Sequence, residues 1–236
     1  MNQSPAADLA IPSTPKQPVS DTYHGVKVTE DYRWLENGDD PAVKRWTAWE
    51  NARTRAWLDE LPDREKIEQR LTALFAKMSP SYGGLSSRPG RLFALKFDPD
   101  KQQRLPVALD SPRDLSSERV IVDPNELEPK GAVSIDWYVP SADGKRVAVC
   151  LSRHGSEEGA LHLFDLETGR ELPDRIEGVQ FPTGGGSAAW TKDGKTIYYT
   201  RYPRKGERPE ADLNFYQQIY VHRVGTPETE DQYSIG

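Results

Sequence analysis

The sequence predicts a mainly β protein in which an N-terminal helical segment precedes an incomplete β-propeller of about three blades, each a four-stranded antiparallel sheet. Glycine and proline account for 18 and 19 of the 236 residues, which favours many short elements over a helical bundle. After Gly84, short β-rich runs alternate with turn residues, with no helical pattern between them. An Asp-Gly-Lys hairpin occurs at residues 143–145 and again at 193–195. A hairpin repeated at such an interval is typical of a propeller.

The chain before the β-rich region predicts a tail and two helices. Residues 1–22 are polar and contain several prolines, so we expect a disordered tail. The N-terminal helical segment is predicted over residues 23–80. Its first helix starts after Asp40, whose carboxylate can accept the free N–H groups of the first turn, and Pro41 suits the first helical position. A second helix is predicted after Asp63.

The repeated hairpin defines the incomplete propeller domain, which is predicted over residues 81–236. The runs Ser141–Ser152 and Thr191–Tyr202 align, and a strand containing tryptophan precedes each copy. We expect both turns to need positive φ at Gly144 and Gly194. Further short strands follow each hairpin, and four strands in roughly 50 residues is the size of one propeller blade. A β-sandwich with chance similarity between two hairpins is the alternative.

The motifs of common enzymes and cofactor sites are absent from the sequence or incomplete. No serine has glycine both two residues before and two residues after it, so the sequence has no nucleophile elbow. The run Gly184–Ala189 matches a dinucleotide fingerprint, but it precedes a predicted strand and therefore indicates a turn between blades. The single cysteine, Cys150, alternates with apolar residues and is interpreted as a strand hydrophobe. The four histidines lack metal-ligand spacing, so we predict no catalytic, cofactor or metal site on this chain.

Charge and hydropathy limit the expected partners. The net charge is −6 without a basic stripe, so nucleic acid is not an expected partner. No apolar run has the length of a membrane span, so no membrane partner is expected either. The N-terminal residues lack the apolar core of a signal peptide, and one cysteine cannot form an intrachain disulfide. We therefore expect a cytoplasmic protein.

Several segments, in collinear order from about residue 20 to the end, resemble the N-terminal part of the prolyl oligopeptidase family of serine peptidases. The first of them are Asp31–Glu36 and the helix that carries Trp46, Glu50 and Asn51. The later ones are Val122–Asn125, Ser141–Lys145, Glu171–Asp174, Ala189–Lys195 and Tyr220–Thr226. Each motif is short, and their common order carries the resemblance.

The resemblance implies a longer, two-domain enzyme that hydrolyses short peptides on the carboxyl side of proline. In that family a propeller gates substrate access, and an α/β-hydrolase domain carries a Ser-Asp-His triad. The N-terminal helical segment would pack on that hydrolase domain. The triad would lie outside this chain, which is therefore expected to be inactive alone. By the same resemblance, Phe164 and Ser187 occupy substrate-binding positions.

Two other interpretations stay open: a non-catalytic β-propeller module for protein interactions, and a truncated product without stable function. In the family interpretation the complete enzyme binds short proline-containing peptides. The partner of this chain itself is then the missing hydrolase domain. Trp46, Trp49 and Trp57 on one helix support such an interface, because exposed apolar patches mark contact surfaces. Without its partner the chain is expected to self-associate.

Overall fold

The computed structural model describes residues 14–128 and 132–236, and these form two compact units. The first unit extends to Phe75, and the second covers Ala76–Gly236. Helices dominate the first unit and strands dominate the second. No helix in the described part of the chain is long and apolar enough to cross a membrane.

The first unit consists of a β-hairpin and two helices. Strands β1 (Val19–Tyr23) and β2 (Val26–Glu30) pair antiparallel, and helices α1 (Pro41–Asp59) and α2 (Arg64–Phe75) follow them. The Asp40 carboxylate accepts the Ala42 N–H at 2.6 Å. The start of the first helix is therefore the predicted one, with proline in its first turn.

Strand β1 differs from the expectation of a disordered tail over residues 1–22. Residues 1–13 of that tail lie outside the described part, but Val19–Tyr23 is paired along its whole length. The hairpin forms because His24 and Gly25 both adopt positive φ, 50° and 82°, which closes a two-residue turn between the strands. The His-Gly turn signal therefore outweighs the proline-rich composition of the residues before it.

The two helices leave large apolar side chains on the surface. Trp57, Ile67, Leu71 and Phe75 expose 56%, 57%, 47% and 55% of their surface, whereas Val43 is buried. Full burial of side chains of this size stabilises a protein by roughly 1.5–3 kcal/mol each. Much of the stabilisation available to these helices is therefore not realised within the described residues.

The second unit is built from three four-stranded antiparallel sheets that follow one another along the chain. Within each sheet the strands lie side by side in chain order, so each sheet is a meander. The first sheet contains β3 (Ser81–Arg88), β4 (Arg91–Phe97), β5 (Leu105–Leu109) and β6 (Arg119–Val120), and the short helix α3 (Pro124–Leu127) follows it. The second contains β7 (Val133–Pro140), β8 (Arg146–Arg153), β9 (Glu158–Asp165) and β10 (Arg170–Gln180). The third contains β11 (Ala188–Trp190), β12 (Thr196–Arg201), β13 (Gln218–Arg223) and β14 (Gln232–Ile235).

The two Asp-Gly-Lys turns have the predicted conformation. Gly144 and Gly194 have φ values of +70° and +65°. In each turn the aspartate carboxylate accepts a hydroxyl two residues before it at 2.6 Å and the N–H of the lysine two residues after it. These partners are Ser141 and Lys145 for Asp143, and Thr191 and Lys195 for Asp193. The repeat in the sequence is therefore a repeat in the structure.

Most buried apolar side chains lie between neighbouring sheets, and a further cluster with Ala94, Leu105 and Val107 lies within the first sheet. We call the contact between the first and second sheets the first interface, and that between the second and third sheets the second interface. The first interface buries Phe93, Ala108, Val147, Val149 and Phe164. The second interface buries Leu161, Leu163, Ile176, Ile197 and Tyr199.

An arginine crosses each interface to the Asp-Gly-Lys turn of the next sheet. Arg91 donates to the Gly144 carbonyl at 2.9 Å, and Arg146 donates to the Gly194 carbonyl at 2.7 Å. Each sheet thus packs on the next in the same way, whereas a sandwich has two sheets face to face. The sandwich alternative is wrong, and the mainly β architecture of three successive four-stranded sheets is confirmed.

Candidate functional site

The histidines that form side-chain hydrogen bonds contact carboxylates. His162 Nδ1 lies 2.6 Å from Glu171 Oε1, and His222 lies between Asp174 and Asp231. In residues 14–128 and 132–236, no hydrogen bond joins a histidine to the serine hydroxyl that it would have to activate. The same residues contain no group of three or more histidine, cysteine or acidic side chains placed to hold a metal ion.

Cys150 lies in β8 and is fully buried. Burial, with a smaller contribution from the Asp136 carboxylate, raises the pKa of the Cys150 thiol far above its usual range. Its sulfur contacts the Val179 carbonyl at 3.4 Å, and a side chain at Gly159 would approach the sulfur to 2.4 Å. The thiol therefore stays protonated and tightly packed, in agreement with its interpretation as a strand hydrophobe.

Phe164, the first of the two residues matched to substrate-binding positions, is 6% exposed. It lies in β9, where it pairs with Val147 in β8 and Glu171 in β10. It belongs to the apolar core of the first interface, together with Phe93. Its position is thus that of a packing residue between two sheets.

A groove of about 240 Å³ borders Phe164 on the second sheet. The buried side chains of Leu151 and Ala160 contribute apolar surface to it. Exposed charged side chains also line it, and among them Arg175 Nε lies 2.7 Å from Glu177 Oε1. The groove therefore combines an apolar part with charged side chains, of which Arg175 and Glu177 pair with each other.

Ser187 is exposed and lies immediately before β11, at the end of the glycine-rich run. Its N–H donates to Thr200 Oγ1 at 2.9 Å, and the Thr200 hydroxyl donates to the Gly185 carbonyl at 2.7 Å. A Cβ at Gly186 would lie 1.5 Å from the Gln180 carbonyl oxygen, so only glycine fits there. The run is a closely packed turn that leads into a strand, as expected for a connection between blades.

The structure does not bring Phe164 and Ser187 together. Phe164 pairs with Val147, close to the Asp-Gly-Lys turn of the second sheet. Ser187 lies beside Thr200, at the end of the third sheet opposite its own Asp-Gly-Lys turn. The two residues therefore lie at opposite ends of different sheets and form no common site. Their contact with substrate stays a prediction.

A buried charged cluster at the second interface has no counterpart among the predicted sites. His222 in β13 is fully buried, with Nδ1 2.7 Å from Asp231 Oδ1 and Nε2 3.0 Å from Asp174 Oδ1. The Tyr199 hydroxyl donates to Asp231 Oδ2 at 2.8 Å. We call these four residues the His222 cluster. Asp174 lies in β10, so the cluster joins the second sheet to the third.

The electrostatics of the His222 cluster favour a protonated imidazole. Burial disfavours the imidazolium, but the hydrogen bonds and charges of Asp231 and Asp174 outweigh burial and raise the pKa of His222. Burial and Asp231 also raise the pKa of Tyr199, which keeps its hydroxyl a donor. Asp174 further accepts the Gly225 N–H. The cluster is closed to solvent, so it holds the sheets together and presents no face to a substrate.

Local spacing could not have revealed the His222 cluster. Asp174 and His222 are 48 residues apart in the chain, and only the packing of two sheets joins them. Strand β13 offered no clear alternation, since the four residues before the buried His222 are all half-buried. Neighbours in a strand lie on opposite faces, so the sequence separates His222 from Val221 but does not name the partners of either.

Comparison with known proteins accounts for the arrangement of sheets. A family model for the prolyl oligopeptidase N-terminal beta-propeller domain matches residues 12–235. The chain belongs to the prolyl oligopeptidase family. The three sheets are therefore blades of a β-propeller, and the predicted family and fold class are confirmed.

Curated relatives are prolyl endopeptidases and oligopeptidases. The prolyl endopeptidase of Elizabethkingia meningoseptica is 26% identical over 232 residues, which cover 97% of this chain and 31% of the relative. Prolyl oligopeptidase A of Amanita bisporigera is 30% identical over 240 residues, which cover 90% of this chain and 30% of the relative. The chain thus spans about a third of the length of these relatives.

Solved structures of the family share the fold. A structure from a study of two prolyl endopeptidases has a TM-score of 0.81 at 32% identity, covering 95% of this chain and 32% of that one. Prolyl oligopeptidase B from Galerina marginata, bound to a 35mer substrate, has a TM-score of 0.70 at 23% identity, covering 94% of this chain and 34% of that one. In both cases the match is to about a third of the larger protein.

Proposed function

We propose that this chain forms the first blades of the substrate-gating propeller of a serine peptidase that hydrolyses short peptides on the carboxyl side of proline. The observation that carries the proposal is the match of the N-terminal propeller model to residues 12–235. The relatives are about three times as long, so we assign the Ser-Asp-His triad to sequence outside these residues.

The role proposed for the blades is to restrict access to the active site and to contact the peptide. Fully buried side chains fill both interfaces, which suits a rigid wall. Ser187 is the residue proposed to contact the peptide, because it is exposed and its backbone is held by Thr200. The burial of Phe164 supports a packing role, since a substrate could reach its ring only if the first interface opened.

The partner proposed for helices α1 and α2 is the hydrolase domain of the complete enzyme. Several of their large apolar side chains are about half exposed, among them Trp57 and Ile67. Exposed apolar surface of this kind marks an interface or an aggregation hazard. About two thirds of the length of each relative lies outside the part that matches this chain, and it supplies an occupant for that surface.

A first experiment tests where the catalytic groups lie. Purified residues 1–236 are expected neither to hydrolyse a chromogenic peptide with proline before the reporter group nor to react with a fluorophosphonate. The full-length prolyl endopeptidase of Elizabethkingia meningoseptica serves as the positive control. Stoichiometric labelling of any serine in this chain would place a nucleophile on it and overturn the assignment.

A second experiment tests the role of Ser187. In a chimera, residues 14–236 would replace the matching third of the prolyl endopeptidase of Elizabethkingia meningoseptica. Ser187→Trp in this chimera would be compared with Ser116→Trp, because Ser116 is exposed on a turn of the first blade. A residue at the peptide path should raise KM when enlarged, whereas the Ser116 variant should leave KM and kcat unchanged. Equal kinetics for both variants would remove Ser187 from the peptide path.

A third experiment separates the family interpretation from a self-sufficient interaction module. The isolated chain is expected to self-associate at micromolar concentration or to bind a hydrophobic dye, because the partner of its helices is missing. Sedimentation with dye fluorescence measures both properties. A compact monomer that binds no dye and unfolds cooperatively would favour the non-catalytic module.

A further inference from the structure

The His222 cluster connects two blades through side chains that are almost completely removed from solvent. The side chains of His222, Asp174 and Asp231 are 0%, 1% and 4% exposed. Asp174 comes from β10 of the second blade, while His222, Asp231 and Tyr199 belong to the third. The imidazole therefore has a carboxylate of its own blade on one nitrogen and a carboxylate of the neighbouring blade on the other.

This geometry requires a bound proton. A neutral imidazole has one N–H and one lone pair, so it donates to a single acceptor. With carboxylate oxygens 2.7 and 3.0 Å from its two nitrogens, a neutral His222 would direct its lone pair at one of them. An imidazolium donates to both carboxylates and offsets part of their charge. Loss of the proton therefore removes the hydrogen bond to one of the two blades or forces a repulsive contact.

The other charged groups around the imidazole already have partners and do not replace that proton. Arg201 in β12 is bound by both carboxylate oxygens of Glu207, and Glu228 is paired with Arg204. One oxygen of Asp174, Oδ2, is buried without a hydrogen-bond partner among the described residues. The groups that face the cluster are Asp174 on β10, Tyr199 and Arg201 on β12, and Glu228 and Asp231 on the turn before β14.

We propose that His222 makes the attachment of the third blade to the second dependent on a proton: the second interface is closed while the imidazole is protonated and opens more readily once the proton is lost. The folded chain holds this proton more tightly than the unfolded chain, in which histidine has a pKa of about 6.5. The stabilisation is therefore complete below about pH 6.5 and is lost as the pH rises through the higher pKa of the folded state.

The first interface is the internal reference for this behaviour. Val147 and Ile197 occupy the same position in the repeat, and they pair with Phe164 and His222 respectively. Phe164 therefore occupies in the second blade the place of His222 in the third. A phenyl ring does not titrate, so this position makes the second interface dependent on pH but not the first.

A histidine titration of the full chain tests the proposal without relying on a destabilising variant. The chain has four histidines, and each gives one C2–H proton resonance in the NMR spectrum. The variants His24→Gln, His154→Gln and His162→Gln each remove one resonance, so the remaining one belongs to His222. The His222 resonance should titrate at a higher pH than histidine does in the unfolded chain, where its pKa is about 6.5. A His222 that is neutral at pH 6 would overturn the proposal.

Hydrogen exchange then locates the effect. Between the unfolded and folded pKa values, the opening equilibrium of the second interface should rise about tenfold per pH unit after correction for intrinsic exchange, because one proton is released on opening. Amides of β10 and β13 should report this rise, and amides of β4 and β5 should not. An equal change at both interfaces, or at neither, would overturn the proposal.

Matched variants link the two measurements. Asp174→Asn removes one carboxylate from His222 and should lower its titration midpoint and flatten the pH dependence of exchange. Asp193→Asn changes a turn carboxylate of the third blade that has its own turn partners, and it should leave both properties unchanged. If Asp174→Asn left the His222 midpoint in place, the carboxylate would have no role in holding the proton.

Discussion

The two interfaces between blades use one backbone plan with opposite chemistry. Phe164 and His222 have the same register in successive blades, opposite Val147 and Ile197. At the first interface that position is filled by a phenyl ring among apolar side chains. At the second it is filled by an imidazole between two buried carboxylates, of which Asp174 belongs to the neighbouring blade.

The comparison shows that a propeller repeat fixes where side chains meet but not what holds them. The apolar interface is stabilised by burial, which depends on area and shape and is independent of pH. The second interface also buries apolar side chains, and its His222 cluster adds a dependence on hydrogen bonding, because a buried charge without a partner is costly. A change at Phe164 should therefore act equally at all pH values, and a change in the His222 cluster should not.

The largest effect is expected for Phe164→Ala. Removing a buried phenyl ring leaves a cavity and should lower the free energy of unfolding by about 3–5 kcal/mol. Denaturant unfolding at pH 6 and pH 9 should give the same loss. Phe164→Leu is the control and should cost clearly less, because it fills most of the volume. A loss that differed between the two pH values would contradict the apolar character of the first interface.

A smaller effect that depends on pH is expected for Asp174→Asn. Hydrogen bonds to a charged group contribute about 1.5–3 kcal/mol, and this variant removes one of the two carboxylates that face His222. The loss in unfolding free energy should be full at pH 6, where the imidazole is protonated. It should be smaller at pH 9, because the stabilisation from the bound proton declines as the pH rises above the pKa of histidine in the unfolded chain, about 6.5. An identical loss at both pH values would show that His222 is not the proton carrier.

The Asp-Gly-Lys turns offer a comparison of the same residue at the two interfaces. Valine at Gly144 or Gly194 should cost roughly 1–3 kcal/mol, because both positions have positive φ. Gly144→Val should cost more, since its Cβ would lie 3.1 Å from Arg88 Cβ across the first interface. At Gly194 the nearest atom, on Asp143, is 3.5 Å away. Thermal unfolding that ranked the two variants in the reverse order would contradict this account.

The smallest effect is expected at a charge pair outside both cores. Lys145 Nζ lies 3.1 Å from Glu167 Oε1, and both side chains are more than half exposed. Exposed pairs of this kind contribute about 0–1 kcal/mol, so Lys145→Ala should change the unfolding free energy by less than the other variants. The small loss should disappear at high salt, which measures screening directly. A loss as large as that of Asp174→Asn would mean that exposed charges stabilise the blades as much as the buried cluster.

Local patterns determined most of the elements of this chain from the sequence alone. Asp40 and Pro41 marked the start of a helix, and the glycines of the Asp-Gly-Lys turns marked two hairpins with positive φ. These features depend on residues that are neighbours along the chain, so a short window contains their cause. The order of the motifs along the chain likewise indicated the family, because the whole ordered set is more specific than any single short motif.

Contacts between distant strands were decided only by the tertiary structure. Alternation assigns Phe164 and His222 each to one face of a strand. It does not show that Phe164 meets apolar side chains, or that His222 meets Asp174, which lies 48 residues before it in the chain. It likewise could not show that Phe164 and Ser187 lie at opposite ends of different sheets. The physical reason is that burial and hydrogen-bond partners at an interface depend on which sheet packs on which, and no local window of the sequence contains both sides of that contact.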